Sequence, residues 1–387
     1  MQLERFDIGR FLSEHWQKKP LLIRNPWKLW RNPLDPDDLA GLACEEEVEA
    51  RLITQVRDGP RETWNVEHGP FPEARFGKLG AKPWTLLVQA VDHHVPEVAA
   101  LIAPFRFIPN WRIDDVMVSY AADGGGVGPH FDQYDVFLVQ GLGRRRWQIG
   151  AMCDDATLLA PHDDLRLLAN FEATDAWILE PGDILYVPPG VAHNGVAVGD
   201  DCMTYSIGFR APSRGELIGQ WSEHLAGCLQ DDDRYADPDL QVQQNPGEIS
   251  AAAIARLHSM VTEKMLDRDA FARWFGEYES APKNPDMDWR PEVPIEIEAL
   301  RELLANATPL RRNPASRFSF IRRGTESLLL FVDGQCFECA GETAAFAETL
   351  CAQDRVRIDP ALTSSDAAMA LIAALLNRGS LAFEPDD

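Results

Sequence analysis

The 387-residue chain is short of several things at once, and each shortage closes off a class of protein. Its seven cysteines, at 44, 153, 202, 228, 336, 339 and 351, are odd in number and scattered. That excludes a disulfide framework and predicts reduced thiols. Cys336-Phe-Glu-Cys339 is a C-x-x-C without the second pair that a zinc ribbon needs. No apolar run approaches a membrane span, and MQLERFDIGRFLSEHW has neither the basic start nor the apolar core of a signal peptide, so a cytoplasmic protein is expected. Basic residues are scarce: 37 Lys and Arg against 61 Asp and Glu give a net charge of -24. Such a chain is not expected to bind DNA directly, because phosphate affinity comes from Lys and Arg, and a basic partner suits it better. There is no P-loop, no G-x-S-x-G, no internal repeat and no low-complexity segment.

What is present is a normal globular composition, 45% hydrophobic and 25% charged, over a length that suggests two or three domains. The first 80 or so residues alternate short elements with turn signals such as NPW, NPLDPDD and RDGP. Asp35-Pro36-Asp37-Asp38 ahead of LAGLACEEEVEARL predicts a helix start, with proline and acids at the positive end of its dipole. Between 111 and 210 the runs WRIDDVMVSY, HFDQYDVFLVQ, RRRWQIG, WILE, DILYVP and MTYSIGF, split by glycine turns, predict a β-sandwich or barrel.

At Ala211 the period becomes helical. Ser213 and Glu216 form a capping box, followed by Leu217, Ile218, Trp221, Leu225 and Cys228. Two more helices carry Ile254, Leu257, Val261 and Met265, then Phe271, Trp274, Phe275 and Tyr278. Such stripes serve either the chain's own core or a dimer surface. A linker with Pro282, Pro285, Pro291 and Pro294 precedes a helix at 295–306, strands around SRFSFIRR and SLLLFVDGQCFECA, helices near 343–353 and 364–377, and a last strand SLAFE. That pattern predicts a winged-helix-like module.

The chemistry concentrates in GGGVGPHFDQYD, residues 124–135. On a strand, His130, Asp132 and Tyr134 would share one face, and a His and an Asp two residues apart can grip one metal ion. A third ligand is expected from WILEPGDILYVPPGVAH, which delivers His193 just past an apolar strand. Two imidazoles and one carboxylate make the facial triad of non-haem Fe(II) oxygenases, with positions left for a 2-oxo acid and dioxygen. The distal carboxylate of such a cosubstrate needs a cation. In Arg144-Arg145-Arg146 the two-residue period points Arg145 opposite to its neighbours, which makes it the inward candidate. Asp115, Met117 and Ser119 share a face of the preceding strand, which sets a carboxylate beside an apolar side chain. Asp115 and Tyr134 are the substrate-side candidates, with Met117 as packing and Ser206 as a candidate near the cofactor. The missing side chains of GGGVGP are expected to let a peptide approach. His93, His94, His162, His224 and His258 are expected to have ordinary packing or surface roles.

At these residues the sequence resembles the JmjC branch of the cupin fold, the 2-oxoglutarate- and Fe(II)-dependent oxygenases, and within it the bacterial ribosomal oxygenases. The likeness runs through FLSEHWQKKPLLIR, DDLAGLA, LLVQAVDHH, GGGVGPHFDQYDVFLVQG, GRRRW, EPGDILYVPPGVAHNG and YSIGFRAPSRGELI. The resemblance implies a mainly β fold with α: a double-stranded β-helix (cupin/JmjC) catalytic domain at 1–210, a helical dimerisation region at 211–282 and a winged-helix-like domain at 283–387. It implies His130, Asp132 and His193 as iron ligands and Arg145 as the 2-oxoglutarate clamp, where most JmjC enzymes have Lys and the bacterial subgroup has Arg. It further implies a homodimer that hydroxylates the β-carbon of an arginine in large-subunit ribosomal protein sixteen. The alternatives are a JmjC enzyme hydroxylating or demethylating another protein, and a non-catalytic cupin dimer that binds a ribosomal protein.

Overall fold

Five strands from the β-rich stretch at 111–210 join four from the first 90 residues in one nine-stranded antiparallel sheet. In the computed structural model, which describes residues 3–58, 61–80, 82–305 and 309–384, these are β1 (Leu21–Ile23), β2 (Ala50–Asp58), β3 (Arg61–His68), β4 (Trp84–Val88), β5 (Ile113–Ala121), β6 (Asp135–Met152), β7 (Asp175–Leu179), β8 (Ile184–Val187) and β9 (Val191–Phe209). Their order is β1-β8-β6-β9-β5-β4-β2-β3, with β7 added to β6. The chain falls into two units, Met1–Ala211 with Asn313–Ala315, and Pro212–Arg312 with Ser316–Asp387.

Two long strands curl the first unit. β6 and β9 pair twice, Asp135–Leu142 against Met203–Phe209 and Arg144–Met152 against Val191–Val198. The ladder shifts register on both sides of Leu142, next to Gly143 at φ 58. A Cβ on Gly143 would lie 2.6 Å from the Asp201 carbonyl, so the bend needs glycine there. The two halves of each strand thereby face one another across a cavity, the double-stranded β-helix expected from the sequence.

Each face of β6 supports a different core. Phe137 and Val139 join Phe11, Leu52, Val88, Tyr186 and Ile207 beneath the N-terminal elements. Val136 and Leu138 join Trp147, Ile149 and Leu185 on the inner side. Phe11, on α1 (Ile8–Glu14), is fully buried and packs its ring 4.9 Å from Tyr186 and 5.5 Å from Phe137. The helix predicted from Pro36 is short. α2 spans Pro36–Leu42, with the Asp35 carboxylate accepting from the Asp37 N–H at 3.0 Å, and the last residues of the expected helix, 50–52, begin β2 instead. Alternating LITQV pairs on both sides, with β3 and with β4, and that sheet pairing overrides helix propensity. A one-turn helix, α3 (Pro96–Ala99), completes the region before β5.

The second unit begins with α4 (Arg214–Cys228), capped by Ser213 and Glu216 reciprocally as predicted. Trp221 packs on Trp274 and Phe271 of α6 (Arg268–Ser280), whereas α5 (Ala251–Met265) has no buried residue. α7 (Ile297–Ala305), β10 (Leu310–Arg312), the hairpin sheet β11 (Phe318–Arg322), β12 (Ser327–Val332) and β13 (Gln335–Ala340), α8 (Glu342–Ala352), β14 (Arg355–Val356), α9 (Pro360–Thr363), α10 (Asp366–Asn377) and β15 (Leu381–Phe383) follow. Leu300, Leu330, Phe346, Leu350 and Ile372 form their core. Gly276 of α6 lies against the Phe331 ring, so α6 packs directly on this sheet. All seven cysteines are free thiols.

Candidate metal centre

His130 and His193 are brought together by backbone, not by strand alternation. The His130 N–H donates to the His193 carbonyl at 3.0 Å and the His193 N–H to the His130 carbonyl at 2.8 Å, an isolated antiparallel bridge ahead of β6. Residues 131–134 are loop and bend, which corrects the expectation that HFDQY is a strand with alternating faces. Asp132 is held instead by its carbonyl, which accepts from the Gly190 N–H at 2.7 Å. The turn PPG, read as delivering His193, therefore also fixes Asp132.

Each imidazole has one nitrogen committed. His130 Nδ1 lies 2.8 Å from the Gly128 carbonyl and His193 Nδ1 lies 2.9 Å from the Val191 carbonyl. A carbonyl only accepts, so both Nδ1 atoms carry the proton and both Nε2 atoms present lone pairs. Asp132 Oδ2 sits 4.0 Å from His130 Nε2 and 3.6 Å from His193 Nε2. The three donor atoms lie within 4.8 Å of one another, the spacing of ligands around one ion. Burial and the neighbouring His130 push the His193 pKa down to about 4, against the pull of Asp132, which keeps the buried ring neutral and able to ligate.

The pocket around this trio encloses about 570 Å³. Arg145, on the second half of β6, enters it while only 3% exposed, and its Nε and Nη2 are buried without a hydrogen-bond partner. Such orphaned charged donors are costly unless an anion meets them, and a planar fork fits a carboxylate. Trp147 stands between, with Arg145 Cζ 5.8 Å from its ring and the His193 ring 5.9 Å away. Gly195 makes room for that indole, since a Cβ there would sit 2.7 Å from it.

The candidate substrate residues line the same pocket: Asp115, Met117, Tyr134 and Ser206. Ser206 stands opposite Met117 in the β5–β9 register. The register slips between Ile113 and Val116, so Asp114 and Asp115 both reach the pocket. The buried Asp92 carboxylate accepts from the Val116 N–H at 2.8 Å and holds that irregularity. Asp115 is 3% exposed and accepts from Gln89 Nε2 at 2.7 Å and the Ala90 N–H at 2.9 Å, while Arg210 approaches Asp114 at 3.4 Å. Loss of solvent, then Asp132 and Asp115, raise the Tyr134 pKa, so it is a protonated phenol at neutral pH.

Two corrections concern the glycine loop and the walls. A Cβ on Gly125 would meet the Trp84 carbonyl at 2.2 Å, one on Gly126 the Gly195 carbonyl at 2.4 Å, and one on Gly128 the Leu167 and Trp64 side chains. These glycines admit the protein's own strands, not an approaching peptide. Sequence reasoning also missed Arg51 and Gln89 as pocket residues. Only the pairing of β2 with β4 and of β4 with β5 carries them there, and the helix expected through LAGLACEEEVEARL hid the first of them.

Comparison with known proteins agrees with this geometry. Residues 100–217 match the JmjC domain family, residues 263–382 the ROXA-like winged helix and residues 172–272 the AraC-like ligand binding domain. The chain is 37% identical to the ribosomal protein uL16 3-hydroxylase of Escherichia coli K12 over 97% of each chain. It is 41% identical to a probable ribosomal oxygenase of Haemophilus influenzae over 68% of this chain and 66% of that protein. The crystal structure of E. coli ycfD superposes with a TM-score of 0.89 at 36% identity, covering 99% of this chain and 100% of that one. The structure of the E. coli ribosomal oxygenase YcfD with cobalt and 2-oxoglutarate gives 0.86 at 35% identity over 99% of both chains.

Proposed function

Because the chain belongs to the ribosomal oxygenases of the JmjC type, we propose that it hydroxylates the β-carbon of an arginine in large-subunit ribosomal protein uL16. It is a 2-oxoglutarate-dependent oxygenase that works with Fe(II). The observation that carries this is the juxtaposition, in one pocket, of three convergent ligand atoms and two unpartnered guanidinium nitrogens of Arg145. A purely structural metal would give Arg145 nothing to hold, which is why the non-catalytic binder is the weaker alternative.

In the assignment we make, His130 Nε2, Asp132 Oδ2 and His193 Nε2 hold iron. When bound, Fe(II) with 2-oxoglutarate and dioxygen supplies the oxidation, releasing succinate and carbon dioxide as one oxygen atom enters a C–H bond. The protein's part is placement. Arg145 grips the distal carboxylate of 2-oxoglutarate, with Ser206 on the pocket wall beside it. Trp147 and Leu138 exclude water around it. Asp115 receives the substrate guanidinium; Gln89 and the Ala90 N–H already fix its carboxylate, so little ordering remains on binding. Met117 packs the substrate's methylenes, and Tyr134, protonated and 43% exposed, covers the mouth.

The division into a catalytic domain at 1–210, a helical dimerisation region at 211–282 and a winged-helix-like domain at 283–387 is part of the same proposal. Ile254, Leu257 and Val261 on α5 are 53%, 42% and 58% exposed, at helical spacing on one face, and a second copy of the chain would cover them. No described helix is long and apolar enough to cross a membrane, and a ribosomal substrate supports a cytoplasmic location. The test is coupled turnover. Fe(II)-loaded protein with 2-oxoglutarate should form succinate in proportion to added uL16. Succinate independent of uL16 would discard this substrate.

A further inference from the structure

Three arginines line the pocket: Arg145, Arg166 and Arg51. Arg166 is exposed to solvent, and Arg145 is buried on β6 beside Trp147. Arg51, on β2, is half-buried, and among the described residues it has neither a hydrogen bond nor an ion pair from its side chain. Arg75, by contrast, makes two bonds to Glu67 of the adjoining strand, at 2.9 and 2.6 Å. The Arg51 nitrogens are not among the side-chain atoms buried without a partner, so the guanidinium meets water at the pocket and can exchange that water for an acceptor on a ligand.

The sheet register puts Arg51 on the pocket face. Arg51 stands opposite Leu87, Leu87 opposite Ser119, and Ser119 opposite Thr204, one row across β2, β4, β5 and β9. Residues so aligned share a face, and all four line the pocket. In strand order β4, β5 and β9 lie between β2 and β6, so Arg51 and Arg145 enter the pocket from strands that are not neighbours. Gln89, two residues beyond Leu87, donates to Asp115 at 2.7 Å and links the Arg51 row to the candidate guanidinium site. From strand spacing and rise, the Arg51 and Asp115 backbones are separated by roughly 16 Å along the sheet. Two long side chains and a few residues of extended peptide span that distance.

We propose that Arg51 is a specificity-determining residue that donates hydrogen bonds to main-chain carbonyl oxygens of the substrate segment flanking the hydroxylated arginine. This rests on the uL16 reading above and deepens it. A carbonyl is favoured over an acidic side chain because Asp115 and Asp164 line the same pocket and repel an incoming carboxylate. Five forked donors can hold successive carbonyls, which a single ammonium cannot.

The experiment compares Arg51→Met and Arg51→Lys with the wild type on a uL16 peptide containing the target arginine, with melting temperature as the folding control. Losing charged hydrogen bonds of this kind should raise the KM for peptide about 10- to 100-fold in R51M and less in R51K, with the KM for 2-oxoglutarate within about two-fold. An unchanged peptide KM in folded R51M overturns the inference alone. So does a 2-oxoglutarate KM that rises in parallel, since Arg51 would then serve the cosubstrate. If R51M does not fold, R51K decides by the same two constants. A wild-type enzyme that leaves the peptide unmodified overturns the substrate reading and this inference together.

Discussion

The metal pocket and helix α5 carry opposite mismatches with their surroundings. In the pocket, polar atoms are buried without partners: Arg145 Nε and Nη2 and Trp147 Nε1. On α5, apolar side chains are exposed without cover: Ile254, Leu257 and Val261. Each mismatch has its own remedy. Buried donors call for a small anionic ligand, because desolvation strengthens charge pairing. Exposed aliphatics at helical spacing call for a protein surface, because apolar area is what they have to lose to water. In the reading proposed above the first region holds a cosubstrate and the second a partner chain, and the two can be perturbed separately.

The largest effect should come from removing a ligand. His130→Ala takes one Nε2 from the trio and should lower uL16 hydroxylation by at least about 10³-fold, beyond the 10- to 100-fold typical of outer-sphere partners. Metal content by atomic absorption and turnover of the same sample check it. Next is Arg145→Met, which removes the donors but keeps bulk. The KM for 2-oxoglutarate should rise about 10²-fold or more, as expected for truncating one side of a buried charge pair. Val261→Asp acts on the other region: it should weaken self-association about 10- to 100-fold, the effect of losing one buried aliphatic from a contact, read by sedimentation velocity. Hydroxylation per folded chain should change far less than in R145M. If V261D silences the pocket as fully as H130A, the separation drawn here fails. The smallest effect is Ser213→Ala, which removes the cap of α4 and should cost about 1 kcal/mol in thermal unfolding of the second unit.

How much of this was legible in the sequence differs by residue. His130, Asp132, His193 and Arg145 stand within short runs whose turns, P-G-D and P-P-G, announce strand ends, so their convergence could be anticipated. The mechanism of convergence could not. Alternation suggested a strand through HFDQY, whereas a two-bond bridge between His130 and His193 and the Gly190 N–H on Asp132 set the geometry. Local sequence has no signal for such contacts, because His130 and His193 lie 63 residues apart and Asp132 and Gly190 lie 58 apart. The capping box at Ser213 was readable because its two halves, Ser213 and Glu216, are three residues apart. Arg51 was hidden for the opposite reason: EEEVEARL favours helix locally, and only pairing with β3 and β4 makes its second half a strand. The glycines of 124–128 were recognised as necessary but for the wrong neighbour, since contact with the Trp84 and Gly195 carbonyls is a tertiary fact.

The most direct test is tandem mass spectrometry of intact uL16 after incubation with the Fe(II)-loaded enzyme, with and without 2-oxoglutarate. The expected result is a gain of about 16 mass units, one oxygen atom, on a single arginine, placed at the β-carbon by fragmentation, present only with 2-oxoglutarate and absent with H130A. Unshifted uL16 in a sample that still converts 2-oxoglutarate to succinate would contradict it.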